Sequence, residues 1–303
     1  MKIADRARRI MLTGAAFLAA ALLSPGNLYA QQSTHPWGQL ETKYLFGFTT
    51  GADIGAEGEK EISAETSASL GKRGGRYAAL SHRLEFETTI SQFVQIELGL
   101  IGSTHNARNA PGLDNINNSN LQGVFGEIRY LLIEKTPNSP FGLTLSFEPN
   151  FARIDDSTGQ RVVKYEFETK IQADYEIISN RLYGAVNLIY EPELVRDLHT
   201  TKWEREATYG LSGALAWRVT SNVVVGAEAG YYRRYEDGLL FKRYAGSAVY
   251  LGPTLYVQLT RKAFLQAAFS TQIAGHSIDT PGQNMDLDHF SRHRAKLKLG
   301  VEF

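Results

Sequence analysis

His276, Ser277 and Asp279 gather the three residue types of a hydrolytic triad within four positions. A triad needs convergence, and adjacent positions on a strand or loop point apart. Paired acids occur at Asp155-Asp156 and at Asp286 with Asp288, and such pairs can activate water. Asp114 with Asn115, Asn117 and Asn118 is rich in oxygen but lacks the spacing of a calcium loop. Cysteine is absent, which removes thiolate nucleophiles, thiolate metal sites and disulfides. No catalytic residue, metal site or cofactor is assigned on this evidence, and an enzyme stays the secondary reading.

A larger set of ionisable residues recurs with a spacing of two. Glu85-x-Glu87, Glu127-x-Arg129 and Lys164-x-Glu166-x-Glu168-x-Lys170 are three such runs, and Arg292-x-Arg294-x-Lys296-x-Lys298 is a fourth. Glu41, Lys43, Arg83 and Glu97 follow the same parity within their own segments. Spacing of two places side chains on one face of a strand. Such a face can line an aqueous interior and orient a charged solute. It can equally form a paired network that fills a narrow interior, because buried charge must be paired or solvated. Both readings stand at this point. Thirty-two basic residues balance thirty-two acidic ones, so no net field favours nucleic acid.

The elements that must carry these faces are strands. Between the ions, apolar residues alternate through 39–48, 77–90, 93–102, 121–133, 141–152, 163–175, 182–190, 207–217, 223–235, 249–259, 264–273 and 291–303. That makes twelve, an even number. Connections alternate in length. The short ones are 91–92, 136–139, 178–180, 220–221 and 261–262, and the long ones are 52–75, 103–120, 155–160, 192–203, 236–246 and 275–288. Pro253 inside a strand predicts a bulge. Segment 51–75 reads as a solvated external loop, with an inward-folded partial plug or an extension of both flanking strands as alternatives.

The first thirty residues form a separate unit. Lys2, Arg6, Arg8 and Arg9 precede an apolar run over 10–23, and Leu28-Tyr29-Ala30 reads as a cleavage site. This is the pattern of a secretory signal peptide, with the mature chain over 31–303. Beyond it no apolar stretch approaches the ~18 residues of a membrane helix. Alternation alone does not say which face is wet, so a soluble sandwich or barrel competes. The strand number, the export signal and aromatics at strand ends (Trp37, Tyr44, Trp217, Tyr231, Tyr235, Phe303) favour an all-β transmembrane antiparallel barrel of about twelve strands. The short turns would then be periplasmic and the long loops external.

The chain ends RAKLKLGVEF, with Ala295, Leu297, Leu299, Val301 and Phe303 at every second position. This resembles the assembly signal of bacterial outer-membrane proteins, and the resemblance implies recognition by the barrel-assembly machinery. The stretches FGFTTGADIGAEGEKE (46–61) and GKRGGRYAAL (71–80) look like a family of uncharacterised proteobacterial outer-membrane barrels. That resemblance implies a fold and a Gram-negative outer-membrane location among lipid and lipopolysaccharide, and no activity. The expected function is porin-like passage of a small polar or charged solute through a mixed-charge lumen. The alternatives are a rim-site lipid or peptide hydrolase and a closed structural or surface-interaction barrel.

Overall fold

A computed structural model describes residues 40–136, 138–198 and 200–303; the expected signal peptide and Trp37 lie outside them. The described chain forms twelve strands: β1 (Lys60–Leu70), β2 (Arg76–Ser91), β3 (Val94–Arg108), β4 (Ile116–Ile133), β5 (Phe141–Ile154), β6 (Arg161–Ile178), β7 (Leu182–Asp197), β8 (Trp203–Arg218), β9 (Val223–Glu236), β10 (Arg243–Gln258), β11 (Ala263–Ser277) and β12 (His293–Glu302). Each pairs antiparallel with its sequence neighbours, and β12 pairs with β1 to close the barrel. Closure leaves no edge strand, so ladders run around the whole barrel, as a hydrocarbon medium demands.

The outer face is apolar. Leu84, Leu98, Leu188, Leu215, Leu251 and Leu297 stand exposed on it, and their sequence neighbours Arg83, Glu97, Asn187, Ala214, Tyr250 and Lys298 are buried inside. This inverted pattern, apolar outward and ionic inward, is that of a membrane-spanning barrel. Trp217 lies outward near the short-turn end, and Trp203 lies outward near the other end, stacked on Tyr165 at 6.1 Å. No described helix is long and apolar enough to cross a membrane.

Four connections at one end hold two to four residues, and those at the other end hold five to fifteen. The connection over 134–140 is longer than its short-turn neighbours. The long loops are shorter than the period-two pattern implies, because the strands continue past its end. Ser103 pairs with Asn120 and Asn106 with Asn117, in a stretch polar on both faces. Hydrogen bonding persists there after the apolar signal stops.

Three expectations are corrected. First, 39–48 is not the first strand. Thr42–Tyr44 is a turn of 3-10 helix inside the barrel, and Tyr44 is an interior residue, not a girdle aromatic. Second, segment 51–75 is not one loop, because β1 lies within it. β1 sends Glu61, Ser63, Glu65, Ser67 and Ser69 inward. Its outward residues Ala64, Thr66 and Ala68 are too small or polar to announce a lipid face. The C-terminal strand therefore closes against β1, with Leu297 opposite Thr66 and Lys298 opposite Glu65. Third, Pro253 carries no bulge. The β9 ladder runs through it, with Pro253 opposite Ala227, and the β11 register is the same at Leu251 and Thr254. The irregularity lies upstream, between Val249 and Tyr250.

An outward cation at mid-strand should be costly. Leu297→Arg is expected to lose about 2–4 kcal/mol of barrel stability in lipid vesicles. Urea titration reads it, and unchanged stability would contradict the outward assignment.

Candidate functional site

The barrel interior is occupied by the chain's own segment 40–58. It enters at the short-turn end, rises to a tip at Phe48-Thr49, and returns to start β1. Its entry leg is anchored by apolar contact. Leu40, Tyr44, Leu45 and Phe46 pack on Tyr183, Ala185, Ala214, Ala216, Val224, Tyr256 and Phe264 of the wall. The Tyr44 ring stacks on Phe264 at 4.3 Å.

Up to residue 57 the segment has no neighbouring strand, so wall side chains satisfy its backbone, and only Gly58 bonds a wall backbone, donating to the Thr89 carbonyl at 2.8 Å. Gln266 donates to the carbonyls of Tyr44 (3.0 Å) and Phe46 (2.7 Å). Glu228 accepts from the Thr49 amide at 2.9 Å. Asn187 accepts from the Thr50 amide and donates to the Thr50 carbonyl, both at 2.8 Å. Asp174 accepts from the Ala52 amide at 2.9 Å, and Thr144 donates to the Ala52 carbonyl. Arg129 donates to the carbonyls of Gly51 (2.8 Å) and Asp53 (3.1 Å). At the mouth Lys135 ties Thr42, Asp53 and Asp174 together, each contact at 2.7 Å. Two glycines allow the close fit. A Cβ on Gly47 would lie 2.5 Å from Glu228 and 2.6 Å from Ala268, and one on Gly51 would lie 2.3 Å from the Thr42 carbonyl of the opposite leg.

The ionisable residues form networks around this segment. Lys43 reaches Glu87, lies 3.7 Å from Glu97 and donates to Gln95 at 3.2 Å. Arg83 pairs with Glu148 at 2.6 Å and approaches Glu85 at 3.5 Å. Lys164 pairs with Glu166, Glu193 and Asp156, and Lys170 pairs with Glu168. Arg129 lies 3.9 Å from Glu127. On β12, Lys298 pairs with Glu85 and Lys296 with Glu65. Arg294 behaves differently: its guanidinium sits 4.1 Å from the Phe48 ring, 4.8 Å from Tyr232 and 4.6 Å from Tyr250.

Three of the expected interior residues differ in setting. Glu41 and Lys43 lie on the inserted segment, not on a wall strand. Arg292 is exposed on the loop before β12, because the strand begins one residue later. Of the terminal apolar series, Leu297, Leu299, Val301 and Phe303 are exposed on the outer face, and Ala295 is half-buried opposite Phe269. Of the residues that hold the segment, Thr144 and Asp174 fall on the polar face that alternation turns inward, and Gln266, Asn187 and Lys135 are not singled out by sequence. The signal was available for Gln266 and Asn187, polar residues at inward parity in otherwise apolar strands.

Beside the segment the lumen keeps a polar cavity of about 70 Å³, lined among others by Glu97, Glu127, Lys170 and Lys298. This is room for a few waters, not for a continuous pore. The opposite mouth is covered by the loop over 278–292, which buries Asp286, His289, Phe290 and Ser291. His289 Nδ1 meets Asp286 at 2.8 Å, and Gln272 holds the Asp286 amide at 2.7 Å. Burial pushes the Asp286 carboxyl up to about 7, against the pull of the His289 and Asp288 amides.

His276, Ser277 and Asp279 form no triad, although Ser277, Asp279, Asp286, Asp288 and His289 gather in one polar cluster under the loop. The His276 ring stacks on Tyr244 at 6.0 Å, and the Ser277 hydroxyl donates to Asp288 at 2.8 Å. Asp155 is spent within its own turn, accepting from the Ser157 and Thr158 amides.

Solved structures with the same fold include the COG4313 outer membrane channel from Pseudomonas putida F1, at 12% identity and a TM-score of 0.52, over 83% of this chain and 98% of that one. The beta domain of the Bordetella autotransporter BrkA matches at 13% and 0.54, over 82% and 100%. The translocator domain of the autotransporter NalP from Neisseria meningitidis matches at 13% and 0.53, over 83% and 91%. At such identities the likeness is one of fold. No curated protein matches the chain in sequence. A family match covers residues 39–303, the whole of the described barrel, and the chain belongs to the family of unknown function DUF6662.

Proposed function

We propose that this protein is an outer-membrane channel for small polar or charged solutes, closed in this conformation by its own segment 40–58. The observation that carries the reading is how that segment is held. Up to residue 57 its contacts with the wall are side-chain hydrogen bonds, ion pairs and one apolar foot, and backbone pairing begins only at Gly58, whose amide donates to the Thr89 carbonyl at 2.8 Å. It can leave without breaking the barrel, whose closure rests on β1 and β12. Behind it stands a wall of polar and ionic side chains, the lining a solute path requires. A barrel with the same fold is described as an outer membrane channel. The short-turn end is assigned to the periplasm and the long-loop end to the exterior, with the aromatic and apolar belt in lipid and lipopolysaccharide. The expected signal peptide and the C-terminal series, read by the barrel-assembly machinery, would bring the chain there.

Docking of the segment leans on Lys43. Removing one partner of a buried ion pair leaves uncompensated charge and costs about 3–5 kcal/mol. Lys43→Ala should therefore shift the closed-to-open ratio on the order of 100- to 1,000-fold toward open. Gly47→Leu should act in the same direction by driving the tip off Glu228 and Ala268. Single-channel recording in planar bilayers reads both: the wild-type chain should be mostly closed, and the two variants should show stepwise conductance. Correctly folded variants that never conduct would sink the channel reading and leave a closed structural barrel.

The open lumen should select cations. Buried acids on the wall strands outnumber buried cations, and lumen charge sets the sign of selectivity. In a salt gradient the reversal potential of Lys43→Ala channels should fall on the cation side, and an anion-side potential would contradict this.

A further inference from the structure

Lys43 occupies a site that the wall builds without it. Glu87 on β2, Glu97 on β3 and Glu127 on β4 each turn one carboxylate oxygen into a common space, and these atoms lie within 4.8 Å of one another. All three side chains are buried. Gln95 adds an amide oxygen, 3.2 Å from the Lys43 ammonium. Three strands thus contribute acceptors to one point in the lumen, and the cation seated there comes from the removable segment.

The site carries more negative charge than its occupant neutralises. Lys43 touches Glu87 and Glu97. Glu127 is 4% exposed, and its Oε1 has no hydrogen-bond partner. Arg129, the nearest other cation to Glu127, stays 3.9 Å away and spends its Nη2 on the segment's own carbonyls. A lone lysine fastener needs one carboxylate. Three carboxylates and an amide oxygen match the three N–H donors of a primary ammonium, with charge to spare for a second positive centre.

We propose that Glu87, Gln95, Glu97 and Glu127 form the solute site of the channel, that its ligand is a small primary amine carrying one or two ammonium groups, and that Lys43 is a tethered competitor for it. This rests on the channel reading and names its substrate class. Amine and segment exclude each other at one position, so amine binding favours withdrawal of the segment, and the docked segment weakens amine binding equally. The arrangement couples opening to the presence of the solute.

Isothermal titration of the full chain in detergent tests this with 1,4-diaminobutane as probe, heat-modified gel migration reporting an intact barrel. Lys43→Met should bind the diamine. Wild type and the Lys43→Met/Glu97→Gln double variant should bind at least tenfold more weakly. A folded Lys43→Met chain that binds no diamine, binds it no better than wild type, or binds calcium instead would overturn the proposal. Should Lys43→Met fail to fold, Thr49→Cys in the otherwise cysteine-free chain serves. The diamine should speed maleimide labelling of that thiol several-fold, and an unchanged rate would overturn the proposal. Binding needs no conductance: a diamine-binding barrel that never conducts defeats the channel reading alone, and a conducting one that binds no diamine defeats this site alone.

Discussion

A peptide buried without a neighbouring strand leaves its amides and carbonyls unpaired unless side chains reach them, and an unpaired buried group costs about 1–3 kcal/mol. Segment 40–58 is such a peptide up to residue 57. The placement of polar residues on the inner wall follows from it. Gln266, Glu228, Asn187, Asp174, Thr144 and Arg129 stand where successive backbone groups of residues 44–53 need partners. The wall that faces Leu40, Tyr44, Leu45 and Phe46 is instead apolar or small, with Ala185, Ala214, Ala216 and Val224. The two surfaces are complementary along the whole path, so the segment is a built part of the lumen.

Charge follows the same constraint at longer range. Moving an ion out of water is costly unless a counter-ion and hydrogen bonds replace the solvent. On β12 the basic series separates into two uses. Lys296 compensates Glu65 on the adjoining β1 and Lys298 reaches Glu85 one strand further, on β2, and Arg294 stacks among Phe48, Tyr232 and Tyr250. The wall thus holds itself together locally and also grips the tip of the segment through Arg294 and Phe48. Compensation is loosest around Glu127, where Arg129 stays 3.9 Å away and the segment brings Lys43 beside Glu87 and Glu97.

Much of the barrel was legible in period-two alternation. From residue 77 onward the apolar series marked the strand cores, because lipid imposes the same requirement on every outward position. Two places were not legible. Leu40, Tyr44, Phe46 and Phe48 show the spacing of a strand, but alternation cannot tell a lipid face from an apolar foot inside a barrel. The true first strand, KEISAETSASL, carries small outward residues, and its identity rests on the ladder with β12. The interior glutamates were visible by parity alone. Their grouping was not: Glu87, Glu97 and Glu127 meet through strand register, which no local pattern in one sequence encodes. The role of the polar residues that hold the segment was hidden for the same reason, since their partner is a backbone.

The central claim is that segment 40–58 closes the lumen and can leave it. Thr49 at the tip and Ser212 on β8 place their hydroxyl oxygens 3.0 Å apart, and the native chain has no cysteine. A Thr49→Cys/Ser212→Cys chain, with the bridge confirmed by mass spectrometry, lets one sample be recorded locked and unlocked in a planar bilayer. Conductance should be absent while the disulfide is intact and appear on reduction, reversibly. Equal conductance in both states would contradict the account.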